Sequence, residues 1–294
     1  MPATQYITLN TGAQMPTLGF GTWKSQPGAV ETAVEVALKN GYKHIDTATA
    51  YGNENEVGEG MAASGVPRSE YFLTTKLNNN DHGRVLEALE YSLKQLRTDY
   101  LDLWLMHWPG PMNQDLKGPD TSKNWLDTWK KMEDVFKAHP EKVKAIGVSN
   151  VSVKYLEDLL KVAAVVPAVN QIERHPSCMQ EDVVSACHAK GIQVTAYSPL
   201  GSDNSPLLEN PVVSGLAAKY SVSPANILVS LHANTPGVSV LAKSVTPARI
   251  IANLKVVDLS EEDIAALKEI EKTAHFRVCN PNWTGNGNLG FTDC

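Results

Sequence analysis

The sequence predicts an α/β fold: a (β/α)8 barrel preceded by a β-hairpin and followed by an extra C-terminal helix and an irregular tail. Two observations predict it. Strand-like segments alternate with helical segments along the chain, which is typical of right-handed βαβ units and a parallel sheet. Eight such units, each of roughly 30 residues, match the number in a barrel of this class. We expect residues 1–294 to form one domain.

The first predicted element is the hairpin. Apolar segments at residues 6–9 and 17–20 flank Asn10-Thr11-Gly12, a sequence that favours a turn.

The barrel strands and helices follow in strict alternation. Short apolar segments predict strands at residues 19–23, 44–46, 71–77, 101–107, 145–149, 168–172, 193–197 and 238–242. Apolar residues at helical spacing predict helices at residues 28–39, 53–63, 83–97, 122–138, 153–163, 180–190, 210–234 (two helices), 247–254 and 260–272.

An open, doubly wound sheet is the alternative fold. It favours a glycine-rich turn directly after its first strand. Gly58-x-Gly60-x-x-Ala63 has the right letters, but it lies inside a helical segment, well past the strand that ends at Asp46. We therefore interpret these small residues as sites of close helix packing.

Composition excludes several classes of protein. Apolar residues make up 43% and charged residues 20% of the chain, which excludes a disordered protein. A net charge of −6 argues against a general nucleic-acid binder, and no apolar segment is long enough to predict a membrane span. The N-terminus has no signal-peptide pattern, and the four cysteines, Cys178, Cys187, Cys279 and Cys294, form no CxxC motif. We expect reduced thiols and a cytoplasmic protein.

Polar residues lie at the carboxyl ends of the predicted strands, where a barrel places its active site. Each of them alone could be a helix cap or a solvated side chain, but together they predict one site on one rim. The residues at or just after strand ends are Trp23, Asp46, Lys76, His107, Ser149, Asn150, Gln171, Tyr197, Ser198, Lys243 and Ser244.

Asp46, Tyr51 and Lys76 suggest a general acid. A free tyrosine has a pKa near 10, about three units too high for easy proton exchange at neutral pH. A lysine cation beside the phenol is expected to lower that pKa, with Asp46 holding the ammonium in place. His107 would orient a substrate oxygen by a hydrogen bond.

The sequence offers no other catalytic apparatus. Its eight histidines show no HxH or HxxxH spacing, so we predict no metal site, and no GxSxG motif is present. A tyrosine acid without a metal suits the reduction of a carbonyl group, with hydride supplied by a cofactor.

A phosphate site is predicted after the last strand. Lys243, Ser244, Thr246 and Arg249 supply two cations and two hydroxyls at a strand end and on the first turn of a helix. That set suits a ribose 2′-phosphate, although a capped helix without a ligand would have a similar sequence.

These residues lie in a chain that resembles the aldo-keto reductase superfamily over almost its whole length. Within that superfamily, the sequence of these segments looks closest to fungal aldose, xylose and glycerol (glyceraldehyde) reductases. The segments that carry the resemblance are residues 18–23, 41–48, 51–54, 100–109, 147–150, 170–173, 196–201 and 243–246.

The resemblance implies a catalytic tetrad and an extended NADPH/NADP+ site across the barrel mouth. The tetrad falls on Asp46, Tyr51, Lys76 and His107, with Tyr51 as the proton donor. The implied cofactor contacts are Tyr197 with the nicotinamide ring, Ser149, Asn150 and Gln171 with its carboxamide, Ser198, Leu200 and Ser202 with the pyrophosphate, Lys243, Ser244, Thr246 and Arg249 with the 2′-phosphate, and Asn253 with adenine. The implied substrate-binding residues are Trp23, Tyr51, His107 and Trp108.

The sequence departs from the family pattern at a few positions. Ala252 replaces a common glutamate beside the adenine asparagine, and Ala242 replaces a common proline. Asn78 stands where some members carry an aromatic pocket residue, which predicts a more polar pocket. Segment 110–123 is irregular and is expected to overhang the pocket. The irregular tail, residues 277–294, is expected to dock on the barrel, and the resemblance implies that it helps to select the substrate.

The predicted function is NADPH-dependent reduction of a small hydroxyaldehyde, sugar or related carbonyl by a monomer. Three alternatives stay open. They are the reverse reaction as a glycerol or polyol dehydrogenase, a non-catalytic nucleotide-binding relative, and a Schiff-base aldolase that uses Lys76.

Overall fold

The computed structural model describes residues 5–26 and 28–293. Predictions that concern residues 1–4, where a signal sequence would begin, and Cys294 lie outside the described residues. The other three cysteines, Cys178, Cys187 and Cys279, are free thiols.

Eight parallel strands form a closed barrel, which confirms the predicted fold and rules out the open sheet. Closure is made by the last strand, which pairs with the first through Val240 and Leu18. The N-terminal hairpin consists of β1 (Tyr6–Thr8) and β2 (Gln14–Pro16). In chain order the barrel strands are β3 (Leu18–Gly21), β4 (His44–Asp46), β5 (Phe72–Leu77), β6 (Leu103–Met106), β7 (Ile146–Ser149), β8 (Val169–Glu173), β9 (Gln193–Tyr197) and β10 (Val238–Ala242).

The helices alternate with these strands, within a few residues of their predicted bounds. They are α1 (Val30–Lys39), α2 (Glu54–Ser64), α3 (Val85–Leu96), α4 (Trp125–Ala138), α5 (Val153–Leu160), α6 (Glu181–His188), α7 (Pro211–Tyr220), α8 (Pro224–Ala233), α9 (Pro247–Ala252), α10 (Glu261–Glu269) and α11 (Glu271–Ala274). None of the helices within the described ranges is both long and apolar enough to cross a bilayer.

The N-terminal hairpin exists, but its second strand was predicted in the wrong place. The strands are β1 (Tyr6–Thr8) and β2 (Gln14–Pro16), and most of segment 17–20 belongs to the first barrel strand instead. The turn is tighter than expected because Gly12, at a φ of 85°, lets the chain reverse at once. Leu9 and Met15 are buried against barrel residues, so the hairpin covers one end of the barrel.

Gly58 and Gly60 lie in α2, as the packing interpretation predicts. A Cβ atom at Gly58 would lie 2.7 Å from the carbonyl oxygen of Gln95, and one at Gly60 would lie 2.4 Å from that of Glu31. The small residues therefore let α2 approach both neighbouring helices closely.

The C-terminal tail is docked, as predicted. Leu289 and Phe291 are buried, and the Ser152 hydroxyl donates to the Leu289 carbonyl at 2.8 Å. Arg277 and Asp293 form an ion pair at 2.8 Å that joins the two ends of the tail. The tail is thereby fixed across the carboxyl ends of the strands.

Candidate active site

A cavity of about 830 Å³ opens at the carboxyl ends of the barrel strands. It brings together most of the residues that the sequence singled out from separate strands. The predicted residues that line it are Trp23, Asp46, Tyr51, His107, Trp108, Ser149, Asn150, Gln171, Tyr197, Ser198, Leu200, Ser202, Lys243, Ser244, Thr246 and Arg249.

Two predicted residues lie off the cavity surface. Lys76 is fully buried beneath the floor, where it contacts residues that do line the cavity. Asn253 is buried at the end of α9 and is not part of the lining, and its contact with adenine stays a prediction.

Strand register places Asp46 and Lys76 side by side. Asp46 pairs with Thr74, and Lys76 lies two residues further along β5, so all three side chains face the same side of the sheet. The Lys76 ammonium donates to Asp46 Oδ1 at 2.6 Å and to the Thr47 carbonyl oxygen at 2.7 Å. The Tyr51 hydroxyl oxygen lies 3.4 Å from the same nitrogen, Lys76 Nζ, and can accept its third N–H.

The ion pair lies in a water-poor environment. Burial raises the pKa of Asp46 and lowers the pKa of Lys76, while the attraction between the two charges opposes both shifts. The second oxygen of Asp46 accepts a hydrogen bond from Gln171 Nε2 at 2.8 Å. Both oxygens of the carboxylate are therefore paired, which limits the cost of burying it.

Tyr51 belongs to a single 3₁₀ turn, Thr49–Tyr51, that follows β4. Burial and the negative charge of Asp46 hold the pKa of its phenol well above 10. Burial and the charge of Asp46 set the net direction of this shift, which is opposite to the lowering expected from a neighbouring lysine. The ammonium is closer to Asp46 than to the phenol, and burial opposes formation of a phenolate. The phenol keeps its proton at neutral pH.

The His107 ring meets the Tyr51 ring edge to face, with 5.6 Å between centroids. Burial, aided by the nearby charge of Lys76, lowers the pKa of His107 well below 6.5, so the ring is neutral at neutral pH. Its Nδ1 atom is buried without a hydrogen-bond partner in the described part of the chain. A neutral ring carries one N–H donor.

Amide and hydroxyl groups opposite Tyr51 bond to one another. The Tyr197 hydroxyl donates to Asn150 Oδ1 at 2.8 Å, and the Asn150 amide donates to the His107 carbonyl oxygen at 3.0 Å. The Ser149 hydroxyl donates to the Gln171 carbonyl oxygen at 2.8 Å. Asn150 has a φ of 60°, which non-glycine residues seldom adopt outside functional sites and turns.

One end of the cavity is rich in cations. Lys243 Nζ donates to the Lys24 carbonyl oxygen at 3.0 Å, and the Lys24 ammonium pairs with Asp203 at 3.0 Å. Partial burial and the charge of Lys24 lower the pKa of Lys243. Arg249 is exposed and makes no ion pair within the described ranges. The Ser244 and Thr246 side chains line the same end, and this donor set suits an anion with several oxygens.

Comparison with known proteins decides the family. The family model described as "Aldo/keto reductase family" matches residues 17–272. The chain belongs to the aldo/keto reductase family. The resemblance stated from the sequence motifs is thereby confirmed.

Individual relatives cover nearly the whole chain. Glycerol 2-dehydrogenase (NADP(+)) of Saccharomyces cerevisiae is 44% identical, over 96% of this chain and 96% of the relative. D-galacturonate reductase of Hypocrea jecorina is 48% identical, over 92% of this chain and 91% of the relative. The aldo-keto reductase of Bombyx mori in complex with NADP has a TM-score of 0.88 at 35% identity, over 97% of this chain and 98% of that one.

Further lining residues of this aldo/keto reductase were not predicted individually. The docked tail contributes Val278, Cys279, Asn280 and Trp283 to the lining. Trp283 meets Trp108 edge to face at 5.9 Å. Tryptophan in an irregular tail was the one signal that could have found this contact.

Two pocket expectations were wrong. Asn79 lines the cavity in place of Asn78, whose side chain instead accepts the Asn79 backbone N–H at 2.8 Å. No residue of segment 110–123 is part of the lining in the described structure. The loop instead supports the tail, since Asn286 donates to the Pro111 carbonyl oxygen at 3.3 Å.

Proposed function

We propose that this protein reduces an aldehyde or ketone to the alcohol with NADPH, reversibly, with Tyr51 as the proton donor. The observation that carries the proposal is the buried Lys76 ammonium, which lies 2.6 Å from Asp46 and 3.4 Å from the Tyr51 hydroxyl. We further propose that it acts as a single-domain monomer in the cytoplasm.

Tyr51 is suited to donate a proton because it holds that proton at neutral pH. When the proton moves to a carbonyl oxygen, a phenolate forms beside the Lys76 ammonium. The attraction between these charges strengthens as the proton leaves, which stabilises the transition state more than the ground state. Asp46 and the Thr47 carbonyl oxygen keep the ammonium at that place.

His107 is suited to orient the carbonyl. Its neutral ring can donate one hydrogen bond to the same oxygen that Tyr51 protonates, and the two rings are in contact. Two donors on one oxygen fix its position and polarise the carbonyl bond. In the reverse direction the Tyr51 phenolate would accept the proton of an alcohol, which is the polyol dehydrogenase reaction.

The residues present fit a nicotinamide cofactor with a 2′-phosphate. Among the described residues, Arg249 and Lys243 at the cation-rich end form no ion pair with a carboxylate, and Ser244 and Thr246 add hydroxyl donors. The amide and hydroxyl groups of Ser149, Asn150, Gln171 and Tyr197 would hold the nicotinamide end, and Ser198, Leu200 and Ser202 lie between the two ends. When bound, the cofactor supplies a hydride.

The substrate end favours a small hydroxylated carbonyl. Trp23, Trp108 and Trp283 form apolar walls, while the Asn79 side chain adds a polar group. The names of the relatives point the same way, since they include a glycerol dehydrogenase and a galacturonate reductase.

The test is the rate of NADPH oxidation with a panel of sugars, hydroxyaldehydes, aromatic aldehydes and keto esters, repeated with NADH. We expect turnover with NADPH, much weaker turnover with NADH, and a preference for small hydroxylated aldehydes. Tight binding of NADPH without turnover of any carbonyl would support the non-catalytic alternative. Trapping of a substrate on Lys76 by borohydride would support the aldolase, which the ammonium's bonds to Asp46 and Thr47 disfavour.

A further inference from the structure

Glu54 is a buried carboxylate outside the cavity lining. It begins α2, its exposed fraction is 4%, and it lies in the layer between the barrel and the surrounding helices. The Thr75 hydroxyl donates to Oε1 at 2.5 Å, and the Ser92 hydroxyl donates to Oε2 at 3.1 Å. No lysine or arginine of the described chain lies within ion-pair distance of it. Burial raises the pKa of Glu54, while the hydrogen bonds from Thr75 and Ser92 and the charge of Lys76 oppose that rise. A carboxylate buried without an ion-pair partner is costly and calls for a reason.

The hydrogen bonds of Glu54 connect it to the two segments that carry Tyr51, the proposed proton donor, and Lys76, the ammonium beside it. Thr75 directly precedes Lys76 on β5. The Thr49 hydroxyl lies 3.0 Å from Ser92 Oγ and 3.1 Å from the Lys76 carbonyl oxygen. Because the Ser92 hydroxyl donates its proton to Glu54, its oxygen can accept from Thr49. The Thr49 hydroxyl can therefore donate either to Ser92 Oγ or to the Lys76 carbonyl oxygen. Because Thr49 begins the turn that ends at Tyr51, these hydroxyls join that turn to the strand of Lys76.

The charge of Glu54 acts in the same direction as that of Asp46. Both favour the protonated form of Lys76 and so raise its pKa against the effect of burial. The titratable groups around Lys76 are Asp46, His44, Tyr51, Glu54 and His107. Of these, Glu54 alone approaches from the helix layer.

A carboxylate on the first turn of a helix is favourable for that helix by itself. That effect does not require burial against β5. Glu59, one turn further along α2, pairs with Arg97 at 2.6 Å and its side chain is 35% exposed. The two glutamates share a helix but differ in whether they touch the strand of Lys76.

We propose that Glu54 is a positioning residue for the reduction, which holds the Tyr51 turn against the Lys76 strand and keeps the Lys76 ammonium charged. This inference rests on the proposed function.

The experiment compares Glu54→Gln with Glu59→Gln, the same substitution at the surface of the same helix. For Glu54→Gln we expect kcat to fall on the order of tenfold to a hundredfold, with the KM for NADPH within about twofold of wild type. The alkaline limb of the kcat–pH profile should shift to lower pH, because loss of the Glu54 charge lowers the pKa of Lys76. Glu59→Gln should match wild type in both respects.

A second pair of variants tests the same inference if Glu54→Gln does not fold. Thr49→Val removes the hydroxyl that joins the turn to the strand, and Thr49→Ser keeps it. We expect Thr49→Val to lose kcat and Thr49→Ser to recover most of it.

Three outcomes are distinguishable. If Glu54→Gln has a lower thermal midpoint but an unchanged kcat–pH profile, the role of Glu54 is purely structural and the inference is overturned. A wild-type kcat in both Glu54→Gln and Thr49→Val also overturns it. An inactive wild-type enzyme would instead contradict the proposed function itself.

Discussion

Gln171 donates a hydrogen bond to Asp46 across the barrel, with 2.8 Å between Nε2 and Oδ2. The two residues lie on β8 and β4, and the bond occupies the oxygen of Asp46 that Lys76 leaves free. A residue that the family resemblance assigned to the cofactor carboxamide thus also supports the ion pair behind Tyr51.

Substitution of Gln171 should therefore impair the chemical step as well as cofactor binding. In Gln171→Leu one oxygen of a buried carboxylate loses its partner, which costs about 1–3 kcal/mol. We expect a lower kcat for carbonyl reduction together with a higher KM for NADPH. The exposed Gln14→Leu is the control. An effect on KM alone would show that Gln171 serves only the cofactor.

The cations at the end of the cavity should decide between NADPH and NADH. Loss of charge-assisted hydrogen bonds in Lys243→Ala or Arg249→Ala is expected to cost about 1.5–3 kcal/mol toward the 2′-phosphate. Titration of each cofactor should therefore show NADPH weakened roughly 10- to 100-fold and NADH little changed. Lys190→Ala, at an exposed site on the barrel surface, is the control. Equal losses for both cofactors would argue against a phosphate site here.

Buried histidines should make the fold sensitive to mild acid. Burial lowers the pKa of His44 to about 3 and that of His82 to about 4, against 6.5 in the unfolded chain. Because the unfolded chain then binds more protons, stability falls as the pH drops below about 6.5, by up to about 1.4 kcal/mol per pH unit for each such histidine. The raised pKa of Asp46 opposes this loss at the acid end.

Urea unfolding of wild type and His82→Gln at pH 7 and pH 5 measures this effect. The variant should lose about 2 kcal/mol less than wild type between the two pH values, because its unfolded state no longer takes up that proton. His188→Gln, at an exposed site, is the control for the substitution itself. Parallel curves for wild type and His82→Gln would contradict the assignment of acid sensitivity to this buried ring.

The sequence predicted the barrel because each strand and helix carries its own periodic pattern. Such local signals gave strand bounds that agree with the structure to within a few residues. The hairpin was misjudged because its second strand includes the polar Gln14, while the apolar segment beside it belongs to the barrel. Pattern alone does not tell which sheet an apolar segment joins.

Within the site, residue types were predictable and energetics were not. Strand ends located Asp46, Lys76 and His107, but the direction of the Tyr51 pKa shift depends on burial, which spacing does not report. The role of Glu54 depends on three hydroxyls from different elements, and Asn79 lines the pocket where Asn78 was expected. These relations exist only once the chain is folded.

The most direct test of the central claim compares wild type with Tyr51→Phe in two measurements, the rate of NADPH oxidation with a small hydroxyaldehyde and the affinity for NADPH. We predict that turnover falls by at least about 10²-fold while NADPH affinity stays nearly unchanged, because the variant lacks only the proton that the carbonyl oxygen must receive. Tyr91→Phe, at an exposed tyrosine, should behave as wild type. Wild-type turnover in Tyr51→Phe would contradict the account, since another group would then have to supply the proton.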